Sequence, residues 1–340
     1  MKKLSIPSES ISVVINGLVV GNSDADERER FTKRSLESVR KYLPNAQLIL
    51  SSWEGSDISG LDYDDVVLSP QPVPIYITTT EGQTKLMSGN NQIVSSQNGL
   101  KLARRQYTLR MRSDTVLTGT NFLNYFVTYN RYPNNGILKK KVVVLPTFNP
   151  RRAGHGRFLF DTCDWLFFGL TEDIKNIYDV PFVKESDMRG VKTNGGYPAE
   201  ENFSTEQYLW LNFLRKYEDV CFPSYSYNTP EALALSEKSY AENAIMVPAH
   251  KAGFLSLKMP HAAYGARSFL SQGLYTFNEY KKMYNRYNAH KIFYISNPFE
   301  NLAYAITLRS RTLMKKAAPG LYKTIVNIVR KRNKSDDLLR

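Results

Sequence analysis

Two periods of apolar and polar positions alternate over the first 120 residues. "ISVVINGLVV" (11–20) is an apolar run with a break at Asn16-Gly17, and it reads as a buried strand. Behind it, acidic residues open a segment whose apolar positions Phe31, Leu36, Val39 and Leu43 have roughly helical spacing. Pro44-Asn45 stops that helix. "AQLILSSW" (46–53) and "YDDVVLS" (63–69) read as the second and third strands, and "GNNQIVSSQNGLKLARR" (89–105) as a helix. This helix feeds "QYTLRMRSDTVLT" (106–118). Alternation there sets Tyr107, Leu109 and Met111 on one face and Thr108, Arg110, Arg112 and Asp114 on the other. A polar stripe is cheap on a strand that faces water. On a central strand only the tip is wet, and Asp114 then borders a crevice.

The repetition of strand and helix predicts an α/β fold, a mostly parallel sheet flanked by helices. Ligands of such sheets bind outside the carboxyl ends of the strands, which places residues 12–20, 51–54 and 112–115 in view. Residues 120–220 are more mixed. "KKKVVVLPTF" and "GRFLFDTCDWLFFG" read as extended, "STEQYLWLNFLRKY" as a helix, and the polar, Gly-rich "RRAGHGR" and "KESDMRGVKTNGGYPAEENF" as loops or a lid. The expected division is one domain over 1–260, with a donor half to about 120 and an acceptor half after it, followed by a helical, basic region over 261–340.

That last region changes the picture through its charge. From Asn301 to Ser335 there is no acidic residue, against nine basic ones: Arg309, Arg311, Lys315, Lys316, Lys323, Arg330, Lys331, Arg332 and Lys334. Leu302, Ile306, Leu313, Leu321 and Ile325 interleave with them at helical spacing, the pattern of a basic amphipathic segment on an anionic membrane surface. A solvated helix pair packed on the domain is the competing account. The whole chain of 340 residues carries a formal charge of +13, which favours anionic partners. No apolar run is long enough to span a bilayer, no secretory h-region follows the first lysines, and two cysteines make no disulfide framework. A cytoplasmic protein, peripheral on the inner face of the membrane, is the expectation.

Neither a Walker loop nor G-x-G-x-x-G follows the first strand, and HExxH, EF-hand, G-x-S-x-G and kinase signatures are absent. The succession "QIVSSQNGLKLARRQYTLRMRSDTVL" resembles the WavE lipopolysaccharide-synthesis family, in which such a helix runs into a strand ending Arg-Ser-Asp. "RSLESVRKYLPNAQLILSSWEG", "DWLFFG" and "STEQYLW" resemble further segments of that family, in order, over about residues 11–215. The resemblance implies a bacterial glycosyltransferase of GT-A-like fold that uses a nucleotide sugar, UDP-hexose (galactose among the candidates), and builds lipopolysaccharide, O-antigen or capsule on a lipid-linked glycan acceptor. It also implies a divalent metal, Mn2+ or Mg2+, held by Asp114 against the donor diphosphate. This chain departs from a full Asp-x-Asp, because Arg112 stands in the first acidic place, and an arginine can bond phosphate directly.

Around that strand end the candidate donor-binding residues are Asn16, Gly17, Ser52, Trp53, Gln92, Ser96, Arg112 and Asp114. Trp53 stacks on a base or caps the sheet; Ser52 and Glu54 bond the base or ribose. Gln92, Ser95 or Ser96, and Gly99 share one small, polar helix face, open to close approach of a ligand. Glu206 and Asp164 are the catalytic candidates: Glu206 as the base for an acceptor hydroxyl, Asp164 in acceptor binding or as a second acidic ligand, with Asp161 behind them. Ser204 and Gln207 also spell a capping box, which explains Glu206 as a first-turn acid with no catalysis. A basic RNA- or membrane-binding protein without catalysis is an alternative, although the basic residues concentrate in the tail and no nucleic-acid partner is expected. A sugar-phosphate nucleotidyltransferase would need a Gly-rich basic loop that "NGLVVGNSDADE" lacks.

Overall fold

The computed structural model describes residues 6–21, 26, 29–78, 84–146, 159–184, 192–194, 197–199, 203–223, 227–260, 275–294, 298–325 and 327. In chain order its strands are β1 (Ile11–Asn16), β2 (Gln47–Trp53), β3 (Asp65–Ser69), β4 (Ile75–Thr78), β5 (Thr84–Met87), β6 (Tyr107–Arg112), β7 (Thr115–Leu117), β8 (Val142–Val144), β9 (Leu166–Leu170), β10 (Lys192–Asn194), β11 (Tyr197–Ala199), β12 (Ala244–Met246) and β13 (Phe254–Ser256). Its helices are α1 (Phe31–Tyr42), α2 (Gly89–Lys101), α3 (Asn121–Tyr129), α4 (Thr171–Tyr178), α5 (Thr205–Arg215), α6 (Pro230–Asn243), α7 (Ala249–Ala252), α8 (Phe277–Tyr287) and α9 (Pro298–Ala317).

Seven strands make the central sheet in the order β12-β8-β9-β6-β1-β2-β3. All neighbours are parallel except β9, which runs against both β6 and β8. The mostly parallel sheet flanked by helices, expected of a GT-A-like α/β fold, is what the chain forms. The chain steps outward from β1 through β2 to β3, then returns to the other side of β1 as β6. That reversal leaves a crevice between the carboxyl ends of β1 and β6.

β1, β2 and most of β6 are buried on both faces, which is why β1 and β2 read as largely apolar runs, whereas β6 alternates. The face toward α2 and α4 is nevertheless polar in part. Ser12 donates to Gln47 at 2.6 Å, Thr108 and Thr171 share a hydrogen bond of 2.8 Å, and Arg110 lies under the ring of Tyr178 at 5.1 Å. α2 can lie close on this face because of Gly99. A Cβ there would fall 2.5 Å from Val14 Cγ1 and 2.9 Å from Ser51 Cβ. The opposite face is an aromatic core around Phe168, whose ring meets Phe122, Phe126 and Tyr107 at 5.0, 5.2 and 6.1 Å.

Two departures from the pattern matter. Residues 75–78 and 84–87 form an antiparallel ribbon, β4 with β5, in a stretch where no strand is expected. The core also runs past residue 260: Tyr280, Met283 and Tyr284 of α8 are buried in it, and Tyr280 Oη donates to the Ala244 carbonyl at 2.8 Å. A boundary at 260 therefore cuts through the packed domain. Among the described residues, Ile292 is the last whose side chain packs against the core.

Candidate active site

The site is built at the carboxyl edge where β1 and β6 part. Asn16 ends β1 directly beside Arg112, the last residue of β6. The turn after each strand is locked to the other. Ser113 N donates to the Asn16 carbonyl at 3.1 Å, Ser113 Oγ to the Leu18 carbonyl at 2.6 Å, and Ser52 Oγ to the Gly17 carbonyl at 2.8 Å. Gly17 takes φ +122°, a left-handed geometry in which a side chain is strained, and a Cβ there would also meet Ser113 Oγ at 3.1 Å.

Arg112 organises this edge. Its Nε and Nη2 donate to the two oxygens of Asp114 at 3.0 and 2.8 Å, and Nη1 donates to Asp164 Oδ2 at 3.1 Å. Both carboxylates are buried, whereas the Arg112 side chain keeps about a third of its surface exposed (36%). Burial pulls the guanidinium pKa down, and the Asp164 and Asp114 charges more than offset this, so Arg112 is a permanent cation. A guanidinium has five N–H groups, and among the described residues three of them are engaged, which leaves two for a ligand.

Asp164 reaches Arg112 because β9 is antiparallel. The start of β9 therefore lies at the carboxyl end of β6, with Arg112 N donating to the Trp165 carbonyl at 3.4 Å. The segment leading into it begins at Phe160, which has φ +57°, a strained conformation for a bulky residue at a cost of about 1–3 kcal/mol. Its N–H donates to Ser236 Oγ at 2.9 Å and its ring sits against Phe222 at 5.0 Å. The turn presents Asp161, whose Oδ2 accepts from Ser204 Oγ at 3.1 Å.

Ser204 is also the N-cap of α5 in the expected capping box with Gln207. Glu206, half-buried in the first turn, senses the charges of Asp164 and Arg112. Burial first, then the Asp164 carboxylate, pushes its pKa up to about 7. Burial and then the Glu206 charge raise Asp161 well above the ordinary carboxylate range. Among the described residues, seven buried side-chain polar atoms lack a hydrogen-bond partner. Six sit on the elements that meet at this edge: Asn16 Oδ1, Gln92 Nε2, Arg110 Nη2, Asp161 Oδ1, Thr162 Oγ1 and Tyr178 Oη. Unmet capacity of this kind costs roughly 1–3 kcal/mol per group, and it is what a polar ligand can satisfy.

Several expected roles change. Asp114, expected to hold a metal, has both oxygens bonded to Arg112. Among the described residues no group of three or more His, Cys, Asp or Glu side chains is placed to hold a metal ion. His250 is exposed, and His155 and His261 lie outside the described residues. Trp53 is only 2% exposed and caps the sheet instead of offering a stacking surface. Ser52 is engaged by Gly17, and Glu54 is exposed. The small face of α2 is a packing surface: Ser95 and Ser96 accept from Asn16 Nδ2 at 2.9 and 3.2 Å, and Ser96 also accepts from Arg110 Nε at 3.1 Å. Arg110, wholly buried, makes its other bond to the Asp164 carbonyl and so supports the Asp164 segment from behind. Asp161, placed behind Glu206 and Asp164 as a candidate, meets this edge through Ser204. The spacing of "DTCD" placed two acids near one another, but only the turn at Phe160 sets Asp161 against the α5 cap.

The sequence profile of the WavE family, WavE lipopolysaccharide synthesis, matches residues 11–318. No curated protein matches the sequence. Solved structures with some likeness include 4-diphosphocytidyl-2C-methyl-D-erythritol synthase from Anaerococcus prevotii, at 11% identity over 67% of this chain and 97% of that one, TM-score 0.35. S. aureus TarS 1-349 aligns at 15% identity over 71% of this chain and 68% of that one, TM-score 0.31. HddC from Yersinia pseudotuberculosis aligns at 14% identity over 66% and 96%, TM-score 0.26. At these scores none of the three decides fold or function.

Proposed function

The chain belongs to the WavE lipopolysaccharide synthesis family, and we propose that it is a glycosyltransferase of cell-surface glycan synthesis that moves a sugar from a nucleotide-sugar donor, UDP-hexose, to a lipid-linked glycan. The observation that carries this reading is Arg112 at the β1–β6 crevice, with two N–H groups unengaged, beside a glutamate whose pKa is pushed up to about 7.

The donor diphosphate lies against the open side of Arg112. Asp114 and Asp164 act as positioning residues, fixing the guanidinium so that its two remaining N–H groups meet the phosphate oxygen on which charge develops. The acceptor hydroxyl oxygen attacks the anomeric carbon. The bond from that carbon to the diphosphate breaks, and its electron pair leaves with the nucleoside diphosphate. The hydroxyl proton passes to Glu206, whose pKa near 7 suits a base at neutral pH. Asn16 and Gln92 add hydrogen-bonding capacity for the donor, since each has an unpartnered polar atom at this edge.

The test is a screen of nucleotide sugars scored by nucleotide release, run on the wild type and on Glu206→Gln and Arg112→Lys, each with EDTA and with manganese. Release from a UDP-hexose that both variants lose supports the reading. Absence of release from every donor, together with thermal protection by RNA and none by a nucleoside diphosphate, would replace it with a non-catalytic binder.

A further inference from the structure

We propose that α9 is a membrane-docking surface that lays its apolar stripe into an anionic lipid bilayer. α9 is 20 residues long, about 30 Å, and none of its described side chains belongs to the buried core. Leu302, Ile306 and Leu313 follow at spacings of four and seven, so they share one helix face, and all three are more than half exposed. Leu321, also more than half exposed, continues the apolar surface in the helical turns over 319–325. Among the described residues, packing leaves these four side chains uncovered.

Charge identifies what covers it. Arg309 lies three residues after Ile306 and four before Leu313, within the stripe, and Lys316 follows Leu313 by three. Arg309, Lys315, Lys316 and Lys323 are all exposed; Arg311 is on the same helix, and Arg330, Lys331 and Arg332 lie outside the described residues. Over 298–325 there are five basic residues and one acid, Glu300. Long basic side chains at the edge of an apolar stripe lay their methylenes along the apolar boundary and keep their charges among phosphate headgroups. Two copies paired through the same stripe would set the basic residues along one stripe against those along the other, and like charges oppose that contact. A single-stranded RNA partner asks for aromatic stacking platforms, whereas the exposed stripe is aliphatic. No described helix is long and apolar enough to cross a membrane, which leaves α9 lying in the interface plane.

The experiment is flotation of the full chain with vesicles of phosphatidylcholine alone and of phosphatidylcholine with phosphatidylglycerol. The expected result is flotation with the anionic vesicles only, weakened by high salt. Arg309→Gln/Lys315→Gln/Lys316→Gln should reduce partitioning on the order of a hundredfold, about fivefold per charge removed. Ile306→Ser/Leu313→Ser should stay with the soluble fraction. These side chains lie outside the core, so both variants should melt like the wild type and release nucleotide from a soluble donor at the same rate. That keeps a failure of docking distinct from a failure of the catalytic reading. Equal flotation with both vesicles or with neither overturns the proposal, as does wild-type flotation by both variants. A dimer dispersed by Ile306→Ser/Leu313→Ser, or retention by RNA in place of vesicles, overturns it too.

Discussion

Arg40 and Arg112 each bridge two aspartates, at opposite edges of one sheet. Arg40, on α1, donates to Asp62 at 2.9 and 3.0 Å, to Asp64 at 3.2 and 2.9 Å, and to the Ala46 carbonyl at 3.5 Å. Those are five contacts for five N–H groups, and the two carboxylate side chains stand 67% and 44% exposed. Arg112 has three contacts and its carboxylates are 11% and 9% exposed. The same combination of one arginine and two aspartates thus makes a saturated surface network at the amino edge and an unsaturated, half-open one at the carboxyl edge. Residue type and spacing alone do not separate the two. What separates them is topology, which brings β9, α5 and the turn at Phe160 to one end of the sheet only.

The contrast can be pressed with mutations. Glu206→Gln should reduce sugar transfer by about 10²–10⁴-fold, the range of a lost general base. Wild-type transfer should rise as pH climbs through about 7, because the base must be deprotonated, and this limb should vanish in the variant. Stability carries the opposite sign. The folded-state pKa lies above the ordinary glutamate value of 4.5, so the folded chain holds a proton the unfolded chain has lost, and stability falls as pH rises through this window. Denaturant titrations at pH 5 and 8 should show a smaller difference for Glu206→Gln than for the wild type. Arg112→Ala should lower transfer by about 10²–10³-fold, and it leaves two buried carboxylates unpaired, at a cost of about 3–5 kcal/mol in denaturant unfolding. Gly99→Ala, remote from the chemistry, should destabilise by about 1–3 kcal/mol because its methyl meets Val14 and Ser51. Arg40→Ala should cost about 1 kcal/mol or less and leave transfer unchanged, since its partners are solvated.

How much of this was legible depends on the range of the interaction. β1, β2, β3, α1, α2 and β6 follow from local period, and the α5 cap follows from Ser204 and Gln207 three residues apart. The face shared by Arg110 and Arg112 was readable from alternation, yet their different fates were not. Arg110 is covered by α2 and α4, and Arg112 stands one step further along at the edge. The antiparallel sense of β9 leaves no mark in an aromatic run, so the approach of Asp164 to Arg112 was hidden. Trp53 is apolar enough to suit either a core or a stacking platform, and only the packing around β2 decides. The β4–β5 ribbon escaped notice because its two strands are four residues each and prolines precede them.

The central claim is that the open side of Arg112 receives a donor diphosphate. Calorimetric titration of UDP into the wild type, Arg112→Lys and Arg40→Ala tests it most directly. The account predicts that Arg40→Ala binds like the wild type and that Arg112→Lys, which keeps the charge but loses the fork, binds at least about tenfold more weakly. Equal affinity across all three proteins would contradict it.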